Sequence, residues 1–112
     1  MHELSLCEAI AATVTRHAGE RVVTGVVVRI GHLRQAVPDA LSFCWSMITD
    51  GTDLDGCALE IEQVPAVVRC RSCGVETTLD VPLMLCSACV GDDVELLSGQ
   101  EFLVVSVDLV DA

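Results

Sequence analysis

Two close pairs of cysteines constrain this chain more than any other feature. Cys70-Arg71-Ser72-Cys73 is followed, after twelve residues, by Cys86-Ser87-Ala88-Cys89. Two residues between paired cysteines let a tight turn aim both sulfurs at one point. Two such turns facing each other supply the four thiolates of a tetrahedral zinc site. Gly74 directly follows the first pair, where a backbone folding under a metal benefits from positive φ; the second pair is followed by Val90 and only then by Gly91, a looser match. With all four sulfurs engaged, such a site has no open position and is structural rather than catalytic. Two disulfides or a dithiol redox centre are the rival readings. A thioredoxin-like redox motif sits once, where a strand ends and a helix opens, a context these pairs lack.

A chain of 112 residues is one domain by length, or a small domain with a metal-clipped insertion. Hydrophobic residues make up 52% and aromatic residues 3%, so the core is built from Val, Leu, Ala and Ile. With 17 Asp and Glu against 6 Lys and Arg, the formal charge is −11 at pH 7, and four thiolates holding one Zn²⁺ add two more negative charges. That field repels a phosphate backbone and excludes the nucleic-acid role of many zinc ribbons, while attracting divalent cations and basic protein surfaces. Glu3 and Glu8 stand where a secretory signal carries positive charge, and no apolar run approaches the roughly 18 residues of a membrane span. A soluble, cytoplasmic protein with no membrane partner is expected. Seven cysteines in a reducing compartment fit metal binding better than a disulfide framework. Cys7, Cys44 and Cys57 fall on apolar periodic positions and read as small core residues.

From Leu4 through Cys7, Ala11, Val14 and Ala18 the apolar spacing is helical, with Ser5 to Glu8 as a candidate capping box or a start one or two residues earlier, and Gly19 as the stop. Val22 to Ile30 is β-branched and reads as a strand; residues 32–37 read as a loop. Pro38 suits a first helical position, and Leu41, Cys44, Trp45 and Ile48 mark a second helix closed by Gly51. Cys57, Leu59 and Ile61 alternate with Ala58, Glu60 and Glu62 as a half-exposed strand. The run Phe102 to Val110 alternates again, with Leu103, Val105, Val107 and Leu109 expected on one face and Ser106 and Asp108 on the other. The expected fold is α+β: two helices on a three-stranded sheet with an inserted four-cysteine zinc lobe. Residues 1–64 plus 97–112 form the α/β domain and residues 65–96 the lobe, whose few large apolar groups require a metal to fold.

The other unusual chemistry is at Met1-His2-Glu3. Initiator methionine is normally trimmed only before small residues, so Met1 is expected to be retained ahead of His2. Its α-amine, the His2 backbone nitrogen and the His2 imidazole can close adjacent chelate rings on one ion. Three coplanar nitrogens suit Ni²⁺ or Cu²⁺, and Glu3 can add its backbone nitrogen or carboxylate. A His at position 2 is, on composition alone, more often an ordinary tail residue.

Met1-His2-Glu3-Leu4-Ser5, the strand Val22 to Ile30, the segment Val37-Pro38-Asp39-Ala40-Leu41-Ser42-Phe43, Asp50-Gly51-Thr52, the doubled CxxC and Gly99-Gln100-Glu101 together resemble the HypA/HybF family of hydrogenase nickel-incorporation proteins. The resemblance runs in order over essentially the whole chain. It implies a nickel metallochaperone, not an enzyme, with transferable Ni²⁺ at Met1, His2 and Glu3 and structural Zn²⁺ at Cys70, Cys73, Cys86 and Cys89. It also implies a HypB-type GTPase and the large subunit of a nickel-iron hydrogenase as partners, and the chain has no Gly-rich nucleotide loop of its own. Some members of the family add a carboxylate from the loop before the second helix; Asp39 is the nearest candidate here, and a helix-start role explains it equally well. His17 reads as a helix C-terminal residue, and His32 as a loop residue without a defined role. Self-association into a homodimer is left open. The alternative to the nickel reading is a zinc-ribbon interaction or regulatory module that binds nothing at Met1 and His2.

Overall fold

The computed structural model describes residues 2–111. Met1, the first of the expected nickel ligands, lies outside the described residues. The elements run α1 (His2–Ala18), β1 (Val22–Gly31), a 3-10 turn (His32–Arg34), α2 (Pro38–Thr49), β2 (Ala58–Val64), β3 (Val67–Cys70), β4 (Glu76–Thr78), β5 (Val94–Ser98) and β6 (Phe102–Val110). The strands form two three-stranded sheets, ordered β2-β1-β6 and β4-β3-β5. The architecture is the expected α+β fold, two helices with a three-stranded sheet and a four-cysteine lobe inserted into the chain.

By packing, the chain divides into two compact units. The first comprises Met1–Arg29, Ala36–Glu62 and Leu103–Ala112; the second comprises Ile30–Gln35 and Gln63–Phe102. The sequence boundaries put residues 30–35, 63–64 and 97–102 with the α/β domain, whereas in this division they fall in the second unit.

In the first unit, α1 buries Leu6, Cys7, Ile10, Val14 and Ala18, one face at three- and four-residue spacing. α2 buries Leu41, Cys44, Trp45 and Thr49 in the same rhythm, and the two helices pack on each other. Pro38 occupies the first turn of α2, where its missing N–H costs nothing. β1 and β2 are neighbours although α2 separates them in sequence, the crossover that a βαβ unit requires. The Trp45 indole donates to the Cys57 carbonyl (2.9 Å), so the one large aromatic side chain in the core also satisfies its polar atom. Cys7, Cys44 and Cys57 are buried core thiols, as their positions suggested. Burial pushes Cys7 up to about 11 and raises Cys57, and Cys7 Sγ donates to the Leu41 carbonyl at 3.3 Å. Cys7 and Cys57 therefore stay protonated and apolar in character.

Three expectations are corrected here. The first helix starts at His2, so Ser5 and Glu8 lie within it rather than capping it. The segment after β1 contains a 3-10 turn, not loop alone. In β6, Leu103 and Val105 are exposed while Phe102, Val104, Val107 and Leu109 are half-buried, so the inward phase switches between Val104 and Val107. Two consecutive exposed residues, Val105 and Ser106, break the two-residue alternation, which strict periodicity in the sequence does not reveal.

The second unit has more regular structure than a metal-clipped loop. β3 pairs antiparallel with β4 (Val68 opposite Thr77) and with β5 (Val68 opposite Leu96), with an irregularity between Val67 and Val68. Its core is small: Ala66, Val68 and Leu79, with Leu33, Val94 and Leu96 against them. Gly99 sits at φ 117°, where an added Cβ would lie 2.5 Å from the Ala66 Cα, so no other residue fits.

Because Trp45 is 3% exposed and Phe43 is 64% exposed on the same helix, truncating each separates burial from helix membership. Trp45→Ala should cost about 3–5 kcal/mol. Phe43→Ala should stay within about 0.5 kcal/mol of the parent in urea unfolding.

Candidate metal centres

The four motif cysteines converge. Their Sγ atoms all lie within 4.8 Å of one another, with Cys70 to Cys89 at 3.6 Å and Cys73 to Cys86 at 3.5 Å. A disulfide requires about 2.05 Å, whereas a tetrahedron with metal–sulfur bonds of about 2.3 Å has edges near 3.8 Å. All four are free thiols, so spacing and oxidation state together match a tetrathiolate metal site rather than two disulfides. Zinc fits this donor set: four soft sulfurs, closed around one point, with no position for a substrate.

The two turns that carry the sulfurs repeat the same backbone plan. In the first, the Gly74 amide donates to the Cys70 carbonyl (2.9 Å) and the Cys70 amide to the Val75 carbonyl (2.9 Å). In the second, Val90 donates to Cys86 (2.9 Å) and Cys86 to Gly91 (2.9 Å). Neither pair opens a helix, which is the setting a thioredoxin-like centre needs. The residue after each pair is left-handed: Gly74 at φ 76° and Val90 at φ 60°. The glycine that sequence spacing offers for the second turn, Gly91, is therefore one position late. Val90 takes the left-handed conformation itself, a rare setting for a β-branched residue that costs roughly 1–2 kcal/mol.

Surrounding groups hold the turns in place. The Ser87 amide donates to Thr77 Oγ1 (3.1 Å), fastening the second turn to β4. Arg71 donates to the Asp93 carboxylate (2.9 Å) and the Val94 carbonyl (3.1 Å), tying the first turn to the start of β5. The thiols titrate unequally. Amides at Cys89 and Ala88 bring Cys86 down to about 6, and the amides of Cys73 and Ser72 lower Cys70. The Val75 amide favours the Cys73 thiolate, but neighbouring Cys86 and Cys70 outweigh it and push Cys73 up to about 11; despite the Gly91 amide, Cys70 and Cys86 also raise Cys89. Four sulfurs this close cannot all ionise by themselves. A dication at their centre removes that conflict.

The N-terminal residues have a different setting. His2 and Glu3 form the first turn of α1, and His2 is exposed. Glu3 Oε2 accepts a hydrogen bond from the Val37 amide (3.2 Å), the residue before α2. That amide and Glu3's own amide hold its carboxyl below the ordinary carboxylate range. The Val37 partner has no signal in the sequence, because residues 3 and 37 meet only through the packing of α1 on α2. Asp39 is exposed in the first turn of α2 and joins no cluster of metal-ligating groups among the described residues. His17 is exposed in the last turn of α1, and His32 is exposed in the 3-10 turn.

The fold and the sulfur cluster define an α+β protein with a tetrathiolate lobe. Comparison narrows the class: residues 1–109 match the family model described as "Hydrogenase/urease nickel incorporation, metallochaperone, hypA", and the chain belongs to the HypA family. It is 42% identical over 109 residues to the hydrogenase maturation factor HypA of Geotalea uraniireducens, covering 97% of this chain and 99% of that one. To the HypA of Streptomyces avermitilis it is 39% identical over 112 residues, covering 96% and 86%. The fold is similar to the solution structure of the Ni metallochaperone HypA from Helicobacter pylori, with TM-score 0.67 and 19% identity over 100% of both chains.

Two measurements check the sulfur cluster. Protein carrying Cys73→Ala should lose tight zinc and the cooperative unfolding of the second unit, while the parent holds one zinc per chain by elemental analysis. Val90→Gly should raise the stability of the zinc-loaded second unit by about 1 kcal/mol in chemical unfolding, since relief of the left-handed strain exceeds the entropy glycine adds to the unfolded chain.

Proposed function

We propose that this chain is a nickel carrier that binds Ni²⁺ at its N-terminus and delivers it during nickel-iron hydrogenase maturation, with Zn²⁺ at Cys70, Cys73, Cys86 and Cys89 as a structural ion. The observation that carries the nickel site is the placement of His2 and Glu3 at the head of α1, within a chain that belongs to a nickel-incorporation family. The proposed donors are the Met1 amine, the His2 backbone nitrogen and imidazole, and Glu3.

The start of a helix suits this chemistry in two ways. The first amides of an α-helix have no acceptor four residues back, so using the His2 backbone nitrogen breaks no helical hydrogen bond. The helix dipole places positive partial charge there, which disfavours a cation. An ionised backbone amide and the nearby Glu3 carboxylate offset that field, leaving a site that captures nickel yet releases it. Glu3 is held as a carboxylate by the Val37 amide, so its negative charge stands beside His2, and its backbone nitrogen or carboxylate completes the donor set.

Capture displaces protons. The terminal amine, ordinarily with a pKa of about 7.7 to 8, must lose its proton and the imidazole must be neutral, so affinity falls as pH drops below neutrality. In this reading the protein is cytoplasmic and has no catalytic role, a HypB-type GTPase supplies nickel, and the hydrogenase large subunit receives it.

Calorimetric titration with Ni²⁺ tests the site. His2→Ala, or an extension ahead of Met1, should abolish high-affinity binding while leaving zinc content and helicity intact. Equal nickel affinity in both altered proteins would overturn the N-terminal site and leave a zinc-bearing interaction module.

A further inference from the structure

We propose that the tip of the zinc lobe is a docking surface for a protein that presents an apolar pocket rimmed by Arg or Lys. The lobe buries only a small core, yet it exposes Val75, Val81, Leu83, Met84 and Val90. These residues lie on the two cysteine turns and on the segment that leads into the second. Val75 and Val90 follow the first and second cysteine pairs closely, and the convergence of the four sulfurs brings their turns to one place. The other three precede Cys86 in a tightly bent segment, where Leu83 donates to the Val81 carbonyl (2.7 Å) and Leu85 to the Leu83 carbonyl (2.9 Å).

Val90 carries a second and independent signal. It adopts a left-handed backbone that glycine would adopt without strain, and its side chain is 69% exposed. The strain is therefore not repaid by packing within this chain. A side chain that costs stability and fills nothing has its use in contact with another molecule.

Charge decides which molecule. From Ser72 to Asp93 the chain has no Lys, Arg or His, and it contains Glu76, Asp80, Asp92 and Asp93. Arg69 pairs with Glu76 and Arg71 with Asp93, so the acidic charge of this stretch outside these ion pairs is carried by Asp80 and Asp92. A tetrathiolate zinc site adds two negative charges beneath the same turns. An acidic rim around apolar side chains complements a basic rim around an apolar pocket. A second copy of this chain would bring the same acidic tip and a formal charge of −11, so self-association through this surface is disfavoured.

The test uses the full-length, zinc-loaded protein with p-benzoylphenylalanine at position 83, photocrosslinked in cells, and mass spectrometry to identify the crosslinked peptide. The identified protein is then purified and titrated against the parent, Leu83→Ser and Val90→Gly. The expected result is a crosslink to a basic-rimmed apolar site, with each substitution weakening binding about tenfold at unchanged zinc content. Val90→Gly distinguishes docking from folding, because it should stabilise the lobe while weakening the complex. Crosslinks only to another copy of this chain, no crosslink, or unchanged affinity in Val90→Gly would each overturn the proposal.

Discussion

The convergence of four sulfurs within 4.8 Å is the constraint on which the second unit of this protein depends. Such a cluster is unfavourable alone: Cys86 and Cys70 are drawn toward the thiolate by backbone amides, while Cys73 and Cys89 are driven the other way by their neighbours. A divalent cation converts that repulsion into four bonds. The apolar contribution is small, with Ala66, Val68 and Leu79 at the centre of a three-stranded sheet. A cation bound there would therefore supply a large part of what folds this unit, as in small domains whose cores cannot offset chain entropy.

The first unit rests on different physics. Two amphipathic helices and a β-branched sheet supply an aliphatic core, and its three cysteines contribute as buried side chains. None of them belongs to the sulfur cluster, whose donors are soft thiolates, whereas the proposed nickel donors are nitrogen and oxygen groups at the N-terminus. Thiolates hold zinc tightly in a closed shell, whereas nitrogen donors at a chain end leave an ion accessible to exchange. Under the proposed function, that separation lets one ion stay while the other is passed on.

Much of this organisation was legible in the residues. The doubled CxxC located the sulfur cluster; helical spacing located both helices; and Pro38 located the start of α2. What the sequence concealed depends on tertiary contact or on backbone choice. The hydrogen bond from Val37 to Glu3 spans 34 positions and exists only because α1 packs on α2. Leu103 and Val105 look inward by alternation, but the phase of β6 changes between Val104 and Val107 and leaves them exposed. Gly91 looks like the turn glycine, yet Val90 is the left-handed residue, because the carbonyl of Cys86 must meet the amide four positions on. The strands β3 to β5 were hidden by their brevity, since three to five residues carry little periodicity.

X-ray absorption at both metal edges, on untagged protein loaded with one zinc and one nickel, tests the segregation of the two ions most directly. The account predicts four sulfur scatterers near 2.3 Å around zinc and only nitrogen and oxygen donors around nickel. Sulfur in the nickel shell, or nitrogen replacing sulfur around zinc when nickel is added, would contradict it.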